Sequence, residues 1–193
     1  MKKENRYNFY KEAKFYEIPD DADGLHPILN FIKFDKGCAI ATNGKRLVVA
    51  PVNEISNLYE DDIEKLNGHL IDKILFKNLI KQSMIIEISD NRIKCKPLHP
   101  MTDIETISFE IPLSSDFKWK FPPYEKIMVP PKIEASEEIS FDADNLHAIC
   151  AGVGKHYPII TPNGLDGSIK VRFQESEIKA FIMSINYKEN IFY

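Results

Sequence analysis

The sequence predicts an α+β fold made of repeated βαβββ units, with antiparallel sheets and one helix per unit. Three observations lead there. Ile86–Ser89 and 92–96 alternate apolar and polar residues around Asp90-Asn91, and Ile169–Phe173 and Ile178–Met183 alternate around a turn at 174–177; both patterns read as half-buried β-hairpins. Two stretches, Lys73–Gln82 and Asn145–Val153, instead carry apolar residues at helical spacing. The order strand, helix, hairpin, strand then occurs near residues 70–111 and again near 139–193. The chain up to about residue 50 looks like the later, hairpin-bearing part of a third such unit. The repeat is one of pattern, with little residue identity between units.

Element by element, Tyr7–Tyr16 combines five aromatic residues with Lys11 and Lys14 and predicts a short amphipathic helix. Residues 18–24 form a polar, proline-broken loop. Ile28–Phe34 and Cys38–Val49 read as strands joined by Asp35-Lys36-Gly37, where glycine accepts positive φ. Asn43-Gly44 marks a tight turn or bulge within the second of these. Glu54–Gly68 is acidic and predicts a surface loop with a helical turn. Ile104–Ile111 alternates again. Pro130-Pro131-Lys132 reads as a boundary, dividing the chain into 1–131 (an incomplete first unit, then a second over about 66–131) and a further unit at 132–193. After it, Ile139–Phe141 is strand-like, and Asp142 is a good N-cap for a helix whose Leu146, Ile149, Cys150 and Val153 share one face. Tyr157–Gly167 reads as a proline- and glycine-rich loop, and Ile191–Tyr193 as one more short strand.

Composition narrows the function. The chain has 193 residues, 44% hydrophobic and 28% charged, as expected of an ordinary globular protein with one good core or two small ones. A net charge of −4 argues against coating nucleic acid through general basicity, while leaving room for one local basic face. No apolar run is long enough to span a bilayer, and the basic N-terminus lacks the apolar centre of a signal peptide, so a cytoplasmic location is expected. Cys38, Cys95 and Cys150 are widely spaced and odd in number, which supports structural thiols over disulfides or a zinc site.

Enzyme signatures are absent. There is no phosphate-cradling glycine loop, no HExxH and no Gly-x-Ser-x-Gly. His26, His69, His99, His147 and His156 are scattered, and the aspartates at 20, 21 and 23 lack calcium-loop spacing. His147 and Cys150 are helix neighbours, but Cys150 lies on the apolar face and reads as core. No catalytic residue, metal or cofactor is therefore expected.

Two stretches carry a more specific signal. Ala41-Thr42-Asn43-Gly44-Lys45-Arg46-Leu47-Val48-Val49 is a turn running into an apolar strand, and Phe121-Pro122-Pro123-Tyr124-Glu125-Lys126-Ile127 is an aromatic, proline-pinned connector. Their order and separation resemble the central part of bacterial sliding clamps, the processivity factors of replicative DNA polymerase, whose stretches read A-T-D-G-H-R-L-A and F-P-D-Y. Asn43 stands where the family usually has Asp, Lys45 where it often has His, and Pro123 where it has Asp; the connector also runs one residue longer before its closing proline. The resemblance covers roughly residues 28–185. It implies a DNA-clamp-like fold with sheets outside and helices facing DNA, and a match to the family's middle domain, without its first strand, followed by the start of the third.

The resemblance also implies sites. Thr42, Gly44, Lys45, Arg46, Leu47 and Pro130 match the family's pocket for a short partner peptide with Leu and Phe anchors. Each anchor is worth about 1.5–3 kcal/mol when buried, which after ordering costs gives roughly micromolar affinity. The alternative is a plain strand with a glycine bulge. Lys73, Lys77 and Lys81 recur at i, i+4 and i+8, beside an apolar face of Ile74, Phe76, Leu79 and Ile80, and form a stripe suited to non-specific contact with the backbone of double-stranded DNA. The alternative is a solvated helix face, and Asp142 and Asp144 on the second helix weigh toward it. The expected function is a non-enzymatic, sliding-clamp-like processivity factor that tethers DNA polymerase or repair proteins. Encirclement would require homo-oligomerisation. The rival is a clamp-fold interaction module that never encircles DNA. Leu47→Asp is expected to abolish peptide binding and leave the fold largely intact.

Overall fold

The computed structural model describes residues 8–81, 84–89, 91–97, 106–128, 140–162 and 168–183. Three antiparallel three-stranded meanders organise it. The first is β1 (Phe31–Asp35), β2 (Cys38–Thr42) and β3 (Arg46–Pro51). After two short helices, α1 (Val52–Ile55) and α2 (Glu60–Leu66), comes a full βαβββ unit: β4 (Leu70–Asp72), α3 (Lys73–Lys81), β5 (Met84–Ser89), β6 (Arg92–Pro97) and β7 (Ile107–Glu110). The last is α4 (Ala143–Val153), β8 (Pro158–Thr161), β9 (Ser168–Phe173) and β10 (Lys179–Met183). The mixed α+β architecture with repeated units thus agrees with the sequence expectation.

The strands form two sheets. One has seven strands in the order β4-β1-β2-β3-β10-β9-β8; the other has β5-β6-β7. β3 and β10, which lie either side of the expected boundary at 131/132, pair directly, with Leu47 opposite Phe181 and Arg46 opposite Ile182. Strand alternation sorts the large sheet into two faces. Ile32, Phe34, Ala39, Ala41, Val48, Ala50, Ile169, Val171, Ala180 and Ile182 point inward and share one core with α3, α4 and the β5–β6 hairpin. Ile40, Leu47, Val49 and Phe181 point outward into a second, smaller cluster.

Local chemistry explains the turns and caps. The β1–β2 hairpin turns on Lys36 and Gly37, at φ 52° and 72°, the two-residue geometry that matches strand twist. Asp142 caps α4 by accepting from the Asp144 N–H at 2.9 Å. Ile149 and Val153 are buried beneath that helix, with Leu146 and Cys150 packed against them.

Several expectations are corrected. The described part of Tyr7–Tyr16 is not an α-helix: Phe9 bridges to Ser56, and a 3-10 turn spans Phe15–Glu17. Its backbone bonds go to other elements, Tyr10 N–H to the Ile55 carbonyl and Lys14 N–H to the Ala151 carbonyl, and Phe9, Ala13, Phe15 and Ile18 are buried. The segment runs beside both long helices. Gly152 of α4 makes this possible, because a Cβ there would lie 2.6 Å from the Ile18 side chain. Glu54–Gly68 is largely helical, and its C-terminal half is α2. Residues 158–161, expected as loop, form edge strand β8. Ile74 is 64% exposed and does not join the buried face of Phe76, Leu79 and Ile80. Ser140 and Phe141 are not in a strand; Ile139 and Ile191–Tyr193 lie outside the described residues.

Glu54 ties the β9–β10 turn to the rest. Its carboxylate accepts from Ser176 Oγ (2.6 Å) and the Glu177 N–H (2.6 Å) and pairs with Lys155 (3.1 Å). Partial burial opposes ionisation, but these three donors outweigh it and hold the carboxyl below its ordinary value. A lowered folded value stabilises above the unfolded titration and is lost as pH falls through it. Glu54→Ala is expected to cost about 1–2 kcal/mol at neutral pH. Urea unfolding at a series of pH values checks this: the gap between wild type and variant should close in acid.

Candidate functional site

The β2–β3 hairpin is built by its own side chains. Thr42 Oγ1 donates to the Arg46 carbonyl (2.7 Å) and accepts from the Gly44 N–H (3.1 Å). Asn43 Oδ1 accepts from the N–H groups of Lys45 (3.0 Å) and Arg46 (2.8 Å). Gly44 takes φ +86°, which side-chain-bearing residues rarely adopt, and the space above it is open. Much of the resemblance motif therefore encodes this turn.

The next two residues point to opposite faces. Arg46 turns inward: Nε donates to the Ile18 carbonyl (3.2 Å), Nη2 to the Glu17 carbonyl (2.8 Å) and Nη1 to Asn145 Oδ1 (2.9 Å). One guanidinium thus latches the N-terminal segment and α4 to the sheet, and burial lowers its pKa. Leu47 points outward but is only 2% exposed. It belongs to the cluster with Ile40, Val49, Tyr124 and Phe181, and Cys38, Phe121 and Met128 pack against that cluster. The aromatic connector therefore lies on the outer face. Its Tyr124 hydroxyl donates to Asp35 Oδ2 (3.1 Å), and Lys33 pairs with the same carboxylate (3.2 Å) while standing over the Tyr124 ring. Burial, then the Asp35 charge, pushes the Tyr124 hydroxyl pKa up.

Thr42, Gly44, Lys45 and Leu47 are thus brought together at one end of the outer face, while the Arg46 guanidinium serves the other side of the sheet. Pro130 lies outside the described residues. Two neighbours were missed from sequence. Phe181 pairs with Leu47, and Met183, 59% exposed, donates its N–H to the Lys45 carbonyl at 2.8 Å. The alternation of residues 178–183 gives their strand but not its partner. Burial of Leu47 also corrects the expectation for Leu47→Asp: a carboxylate placed there would be desolvated in a packed cluster and would destabilise the fold.

On α3, Lys73 pairs with Asp20 at 2.8 Å and Lys77 stands over the Tyr16 ring at 5.3 Å. Lys81 ends the helix, and its side chain lies outside the described set. The described residues contain no group of three or more potential metal ligands. Burial raises all three thiols, Cys95 to about 11. Among the described residues no helix is long and apolar enough to cross a membrane.

Solved structures share this fold. DNA polymerase III subunit beta from Thermotoga maritima aligns at TM-score 0.55 and 11% identity, covering 96% of this chain and 67% of that one. The Pseudomonas aeruginosa subunit gives 0.54 and 12%, covering 94% and 66%. The Borrelia burgdorferi subunit, solved in complex with a natural product, gives 0.52 and 12%, covering 96% and 65%. The chain has the sliding-clamp fold. It spans about two thirds of the length of these clamp chains. No family model and no curated protein matches it.

Arg46→Met keeps the aliphatic stem and removes three hydrogen bonds. It is expected to cost about 2–3 kcal/mol in urea unfolding. In combination with Asn145→Ala the loss should be less than additive, because the two side chains share a bond.

Proposed function

We propose that this protein is a clamp-related tether whose outer sheet face, at the β2–β3 hairpin, receives a short peptide carrying Leu and Phe anchors. The observation that carries the reading is the β3–β10 pairing, which sets Thr42, Gly44 and Lys45 beside the exposed Met183. Open space at Gly44 allows close backbone approach, and Met183 offers an adaptable apolar contact. Pro130 belongs to the proposed rim. Likeness to chains described as DNA polymerase III subunit beta supports a DNA polymerase, or a repair protein using the same kind of peptide, as the partner. The division into 1–131 and 132–193, a cytoplasmic location and a non-enzymatic role belong to this proposal.

In the full form of the proposal a homo-oligomer surrounds duplex DNA, and Lys73, Lys77 and Lys81 meet its phosphates without reading sequence. One observation favours a second reading, a module that binds the peptide without encircling DNA: the first lysine of the stripe, Lys73, is paired with Asp20.

Fluorescence anisotropy with a labelled Leu/Phe peptide tests the pocket. Micromolar binding is expected, weakened about tenfold by Met183→Asp, a change at an exposed site that should leave the melting temperature unchanged. Unchanged affinity in that variant would remove the pocket. Light scattering separates the two readings. A discrete oligomer that binds duplex DNA, with a salt slope lowered by about one when Lys77 is replaced by Glu, supports encirclement. A monomer at high concentration supports the module.

A further inference from the structure

The outer face continues past the hairpin, toward the other ends of β3 and β10. There Lys179 lies opposite Val49, Lys170 opposite Phe181, and Arg172 opposite Ile159. Each cation has an apolar residue opposite it on one neighbouring strand, and Lys170 has Thr161 on the other; none of these recorded partners is a carboxylate, which would have been the stabilising one. Among the described residues none of the three forms an ion pair. They border a groove of about 600 Å³ whose lining includes Cys38, Val49 and Pro51. Three cations without an ion-pair partner among the described residues, gathered on one face, stand out in a chain of net charge −4.

We propose that this groove is a second recognition surface for an acidic peptide segment, whose carboxylates meet Lys170, Arg172 and Lys179 while an apolar side chain enters over Val49 and Pro51. It deepens the tether reading and rests on it: the groove lies on the same outer face as the β2–β3 hairpin, farther along β3 and β10, so one extended partner peptide reaches both hairpin and groove, and the acidic flank selects among peptides with similar anchors. Charge complementarity favours a peptide over nucleic acid. Glu175 and Glu177 also line the groove and would repel a continuous run of phosphates, whereas two or three spaced carboxylates avoid them.

The test uses two labelled peptides with the same Leu and Phe anchors, one flanked by Asp and Glu and the other by Asn and Gln, against the intact protein and Arg172→Gln/Lys179→Gln. Wild type should bind the acidic peptide about tenfold tighter at low salt, and the variant should lose that preference. Removing clustered cations relieves repulsion, so the variant should melt no lower than wild type; this separates recognition from folding. Equal binding of both peptides to wild type would overturn the inference and leave the tether reading standing. Binding of neither would overturn both. Retained preference in the variant would overturn it by moving the acidic contact elsewhere. A labelled single-stranded oligonucleotide that binds wild type as tightly as the acidic peptide, and loses affinity in the variant, would overturn it in favour of nucleic acid.

Discussion

The hydrogen-bonded seam between β3 and β10 makes one sheet of two meanders far apart in sequence. Antiparallel pairing there fixes register, and register decides which face each side chain takes. A slip of one residue would move Leu47 into the helix layer and Arg46 onto the outer face. The latch from Arg46 to Glu17, Ile18 and Asn145, and the cluster around Leu47 and Phe181, both require the observed register. The seam is thereby held from both sides, by a hydrogen-bonded cation within and apolar packing without.

The helix layer follows from the same arrangement. Where the second unit has strand β4 followed by α3, the chain before β1 supplies an irregular segment whose aromatic residues enter the core. Phe9 and Phe15 pack near Phe76, and Ile18 fits against Gly152. Asp20 then pairs with Lys73, and Lys77 stands over the Tyr16 ring. A segment that completes the core thus also changes the charge presented by the helices.

The outer face divides into three zones. The aromatic connector covers Leu47 and ties itself down through Tyr124 and Asp35. Beside it the hairpin leaves Gly44, Lys45 and Met183 accessible. The third zone is basic, with Lys179 on β10 and Lys170 and Arg172 on β9. In the proposed binding mode these three zones act on one extended peptide, with anchors at the hairpin supplying affinity and the basic flank supplying selection.

Alternation and helical spacing made the elements legible in the sequence by itself: the hairpins, α3, α4 with its Asp142 cap, and the repeated unit all rest on contacts between near neighbours. The Thr42–Arg46 turn was equally legible, because Thr42 and Asn43 close it with their own side chains. The site was legible only in part. Membership of Phe181 and Met183 at the hairpin, the inward turn of Arg46, the covering of Leu47 and the occupation of Lys73 by Asp20 were decided by tertiary structure. The physical reason is the same in each case. Periodicity tells which side of a strand or helix a residue occupies, but the partner of that side comes from a distant segment, and burial depends on what that segment brings.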